Sequence, residues 1–245
     1  MKKAIWIAVS VVVPMAMSLF FNLDQSIAGP PLLCHAIEIG KSESLAWGQG
    51  AWSNDKIELD DNRFVARTLE LLSPDAPILA RMETIRRATI HAAERPKAAS
   101  NILAVLRARV AKSNESGVPD ILVLFDLGYL TATYEQMNLV TERNSFGFGG
   151  GRRKEIAIPD DLSAYEFVKK ASDLTKTNAE MEFALALITS SPAHSAHRRH
   201  LQNAVAGAQD GTLLAVNLVQ RFSERGKTFT DLRASFGMSA NGDHR

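Results

Sequence analysis

The chain has very little cysteine: Cys34 is the only one in 245 residues, so no internal disulfide can form. Covalent haem attachment needs a second cysteine three positions earlier, where Pro31 stands. Charge of one sign is missing as well. The whole chain has 28 basic and 27 acidic residues, and Gly29 to Arg245, without Lys2, Lys3 and Asp24, has 26 of each. A neutral chain of this kind generates no field to attract nucleic acid or an anionic membrane, which argues against both as main partners. Catalytic signatures are also missing: neither Gly-x-Ser-x-Gly nor His-Glu-x-x-His occurs. A period of about 34 residues, the mark of one common helical repeat, is not evident either.

What is present begins with an address. Lys2 and Lys3 precede Ala4 to Phe21, a run without a charge, and Ser26-Ile27-Ala28 places small residues where a signal peptidase cuts. The expectation is export with cleavage after Ala28, Pro14 and the small-residue exit weighing against an uncleaved anchor. Residues 1–28 are then a signal peptide, and 217 residues remain, enough for one good core or a short solenoid.

Residues 29–54 form an irregular arm rich in Gly and Pro, and its Trp47 and Trp52 need a surface to pack on. From residue 55 helical periodicity takes over. Ile78, Met82, Ile85 and Ile90 recur at helical spacing, with Arg81, Glu83, Arg86, Arg87 and Glu94 around them as a solvated face. Pro96 stops that helix, and a second restarts with Ile102, Leu103, Leu106 and Val110, an αα-hairpin. A longer helix follows Pro119 to Glu142, with Gly128 inside it marking a close approach of two helices. Residues 143–159 interrupt the array with a glycine-rich basic loop, Gly147 to Lys154 at its centre. A flexible connection explains this loop better than a phosphate cradle, because no strand precedes it. Asp160 or Asp161 then caps a helix to Leu174, Asn178 caps an apolar Ala179–Ile188, and Ser191-Pro192 opens a helix running to Ala208. Residues 160–236 complete the array and 237–245 are a polar tail. The fold class read from this pattern is all-α: antiparallel αα-hairpins stacked as a short irregular superhelix behind an ordered N-terminal arm.

The one constellation with ligand chemistry is His194, His197 and His200. Two successive steps of three on a helix spread the rings over an arc of about 120°. Neighbouring pairs could share a metal ion, whereas all three on one ion is harder, and Arg198 and Arg199 lie between them. Packing or capping at the helix start is the plainer reading. Glu182, in the most apolar helix, becomes a site candidate if its carboxylate is buried. Cys34 reads as a small buried hydrophobe. No cofactor is expected apart from a metal on the histidines, and catalytic residues are not legible.

The segments Gly29-Pro30-Pro31-Leu32-Leu33-Cys34-His35, Arg81-Met82-Glu83-Thr84-Ile85-Arg86-Arg87 and Phe125-Asp126-Leu127-Gly128-Tyr129-Leu130 resemble a group of exported bacterial hypothetical proteins. The resemblance implies export and an all-helical fold, and carries no activity or site residue. The expected function is a binding or scaffold protein of the cell envelope that meets a protein or peptide on a concave helical face. The alternative is a metal-dependent enzyme or metal-binding protein using the three histidines.

Overall fold

The computed structural model describes residues 30–47, 59–142, 155–176, 178–190 and 194–239. Residues 1–28, expected as a signal peptide, Trp52, residues 143–154 of the glycine-rich stretch and the end of the tail lie outside them. The described residues are all-helical: α1 Asp61–Leu71, α2 Ile78–Ala92, α3 Pro96–Glu115, α4 Ile121–Glu142, α5 Ala164–Leu174, α6 Ala179–Ile188, α7 His197–Gly207, α8 Leu213–Phe222 and α9 Phe229–Ser235. Most helices pack on the next or next but one in sequence, and α2 and α4 also touch α6, so both halves share one core.

Local chemistry sets the helix ends. Asp60, Ser163, Asn178, Thr212 and Thr228 each accept a backbone N–H in the first turn of the helix that follows. This side-chain cap satisfies donors that a helix leaves unpaired. Ser163 does this for α5 in place of the expected Asp160 or Asp161; Asp161 instead pairs with Arg107 at 2.9 Å. Pro96 occupies the first turn of α3, where its missing N–H costs nothing.

Gly128 sits where α4 meets α5. A Cβ there would lie 2.8 Å from both Phe167 Cβ and Val168 Cγ2 and 2.9 Å from the Ala164 carbonyl oxygen. Only a residue without a side chain admits that approach.

The polar residues of α2 overturn the solvated-face expectation. Every residue from Ile78 to Arg86 is buried, because neighbouring helices, α4 above all, and the N-terminal arm cover the helix. Burial on this scale requires the charges to be matched. Glu83 binds Arg86 through both carboxylate oxygens (2.7 and 2.8 Å) and Arg87 at 2.6 Å, and accepts the Ile37 N–H at 2.8 Å. Burial alone would push the Glu83 carboxyl up; Arg86, Ile37 and Arg87 together hold it below the usual range.

The N-terminal arm joins both halves of the array. From the first half, Arg86 and Arg87 donate to the carbonyls of Leu33 and Leu45, and Gln136 accepts the Leu32 N–H. From the second, Asn217 pairs with the N–H and C=O of Glu38, and Arg221 donates to the carbonyls of Pro31 and His35. Leu32, Leu33, Ile37 and Leu45 are buried in the common core. Trp47 packs edge-on against His91, with the Arg86 guanidinium 4.9 Å from its ring centre. An extended segment has no hydrogen-bond ladder of its own, so side chains from α2, α4 and α8 supply one.

Candidate functional site

Two arrangements can carry chemistry. The first grows from α6, whose residues Met181 to Leu187 are all buried. Glu182 therefore faces protein on every side and has to find donors there. It accepts from Ser172 Oγ on α5 (2.8 Å) and from Asn203 Nδ2 (3.0 Å) and His200 Nδ1 (2.8 Å) on α7. Burial pushes its carboxyl up, but the hydrogen bonds from His200, Ser172 and Asn203 outweigh that and leave it below the usual range. An ionised Glu182 is acceptor-only, which assigns the proton to His200 Nδ1. In the neutral ring Nε2 is then an acceptor, and the Tyr165 hydroxyl lies 3.1 Å from it. Arg199 Nη2 donates to the same hydroxyl at 3.4 Å. Carboxylate, imidazole and phenol thus form a relay of the kind that orients a base toward a hydroxyl.

The three predicted histidines do not share one geometry. His200 is buried with both ring nitrogens engaged. His197 holds the Ala186 carbonyl through Nδ1 at 3.0 Å and packs against Phe222, and burial keeps its pKa below the usual value. His194 precedes α7, which begins at His197; Ser191 and Pro192, expected to open it, lie outside the described residues. Its Nδ1 accepts the Ala196 N–H, and its carbonyl the His197 N–H, closing a turn that replaces the expected helix. Its ring lies 4.9 Å from that of Tyr165. Among the described residues no group of three or more His, Cys, Asp and Glu is placed to hold a metal ion.

The second arrangement is an open cavity of about 920 Å³ where the C-terminal ends of α1 and α3 meet the start of α4. Leu69, Leu72, Leu122 and Val123 form apolar wall, and Arg109 and Lys112 stand on it. Arg81 lines the floor though nearly inaccessible. It donates to the carbonyls of Ser73 and Ala76 and pairs with Asp126 at 2.6 Å. Burial pushes the Asp126 carboxyl up to about 7 against the opposing pull of Arg81.

Cys34 is half-buried, and burial raises its thiol to about 11 despite Arg221 and Arg86, so it is protonated at neutral pH and a poor nucleophile. Neither Tyr165 nor the cavity was legible in the sequence. Tyr165 lies 35 positions from His200, and the cavity is assembled from three helix ends, two connecting segments and Arg81 of α2. The one available signal was Glu182 itself, a carboxylate in an otherwise apolar helix. No protein-family model, curated protein or solved structure matches this chain.

Proposed function

We propose that the chain is an exported binding protein of the cell envelope that holds its ligand in the cavity between α1, α3 and α4. The cavity is the observation that carries the reading: about 920 Å³, with mainly apolar walls and a few charged groups, is the size and character of a small-molecule site. Helical stacking alone would point to a protein or peptide partner, but by analogy only. The leader pattern supports export. Among the described residues no helix is long and apolar enough to cross a membrane. Fractionation of the producing cells, with N-terminal sequencing of the recovered chain, tests the export half. The expected result is an envelope or external fraction beginning at Gly29; full-length chain confined to the cytosol refutes it.

A second reading, an enzyme or metal-binding protein, is favoured by the Tyr165–His200–Glu182 relay beside His194 and His197. Stoichiometric zinc in the purified chain, lost on changing His194 and His197 to Ala, would move the function to that site.

A further inference from the structure

We infer that the cavity takes a single-chain anionic amphiphile, a free fatty carboxylate, with its chain on Leu69, Leu72, Leu122 and Val123 and its head on Arg109 and Lys112. This rests on the binding-protein reading and names its ligand class. The apolar side is wet as it stands: Leu69, Leu122 and Val123 are only half-buried, and Val118 at the rim is 74% exposed.

The charges at the rim decide the sign of the ligand. Glu70 is already paired with Arg67 at 2.9 Å. Asp120 accepts the N–H groups of Leu122 and Val123 through Oδ1, at 3.0 and 3.2 Å. Arg81 is matched by Asp126 and backbone carbonyls. Arg109 and Lys112 make no hydrogen bond or ion pair among the described residues. Asp120 keeps its negative charge and the Arg109 charge also bears on Asp126, but two cations face that one rim carboxylate, so the balance is positive and a carboxylate complements it.

The neutral polar groups decide against a peptide. Ser116 Oγ donates to the Ser113 carbonyl at 2.6 Å, Ser113 Oγ donates to the Val110 carbonyl and accepts the Asp120 N–H, and the Ser73 carbonyl is held by Arg81. The donors left are the charged ones of Arg109 and Lys112, and few neutral acceptors remain for the N–H groups a peptide would bring. A hydrocarbon chain brings none.

Calorimetric titration of the full chain with octanoate, decanoate and dodecanoate as monomers, and with the matched alcohols, tests the assignment. Each added methylene is expected to tighten Kd about fourfold until the cavity is filled. The carboxylate is expected to bind about fivefold tighter than the alcohol. The double variant Arg109→Gln/Lys112→Gln should lose that preference and keep the methylene increment, whereas Leu122→Asp should lose the increment, with circular dichroism verifying the fold of each. Both variants keep the leader, so binding by residues 4–21 cancels in the comparison. No dependence on chain length, or wild-type binding by both variants, overturns the assignment. Binding to anionic vesicles but not to monomeric carboxylates also overturns it and assigns the chemistry to a lipid surface. An exported chain that binds no carboxylate but carries another small molecule, lost with Leu122→Asp, would refute this ligand class and leave the binding-protein reading standing.

Discussion

Replacing Glu83 with Ala is expected to remove a large part of the stability of the fold. The carboxylate is fully buried and is held by two guanidinium groups and the Ile37 N–H. Without it the Arg86 charge stays buried beside an unpaired backbone donor, whereas Arg87, about a fifth exposed, can partly rehydrate. Removing one partner of a buried pair costs about 3–5 kcal/mol, and the loss of the Ile37 bond overlaps with that and does not add fully. About 4 kcal/mol, against a total of roughly 5–15 kcal/mol for a domain, would lower the melting temperature by about 10 °C. Glu83→Gln should fare little better, since its amide turns a donor toward the guanidinium groups. The pair Glu83→Met/Arg86→Met should lose less than Glu83→Ala, because no unmatched charge remains. Acid sensitivity gives an independent check. The folded Glu83 carboxyl lies below its ordinary value, so its contribution is present above that value and is lost as pH falls through the folded one. The variant should therefore lose less stability on acidification than the wild type. Equilibrium urea unfolding at several pH values measures all of this. A loss under about 1 kcal/mol at neutral pH would refute the hub role of Glu83.

Other expectations follow from particular contacts. Gly128→Ala should destabilise by about 1–3 kcal/mol despite the better helix propensity of alanine, because the new methyl meets Phe167 and Val168 at 2.8 Å; thermal unfolding reads this directly. Tyr129 Oη is buried without a hydrogen-bond partner among the described residues, so Tyr129→Phe should be neutral or stabilising by about 1 kcal/mol in the same assay. Cys34 should react slowly with iodoacetamide at neutral pH, and faster as pH approaches about 11; fast labelling at neutral pH would contradict the protonated thiol. Deleting residues 30–47 should abolish cooperative unfolding, since Asn217 and Arg221 on α8 lose the same backbone that Glu83, Arg86 and Arg87 on α2 hold. Retained helicity with a sharp transition would instead mark the arm as a detachable docking segment.

The all-α class was legible because apolar spacing and capping residues agree along the chain. Asn178 and the Ala179–Ile188 helix lie where composition places them, and Gly128 marks its contact. Periodicity does not tell a solvated charge from a matched one. Arg81, Glu83 and Arg86 read as surface until Asp126 and the arm, 45 and 46 positions away, supply their partners. The same limit hid the relay. His200 and Glu182 could be suspected singly, but Tyr165 comes from a third helix and leaves no local trace. The turn at His194 was missed for a different reason: its ring accepts the Ala196 N–H ahead of α7, a local side-chain contact that a helix-start signal does not report.

The most direct test of the binding-protein reading is mass spectrometry of small molecules extracted from the chain after purification from its own cells. Wild-type protein should yield a single-chain fatty carboxylate in near-equimolar amount, and the Leu122→Asp variant should yield none. Wild-type protein that carries no bound small molecule, or carries the same amount as the variant, would contradict a ligand held in the cavity between α1, α3 and α4.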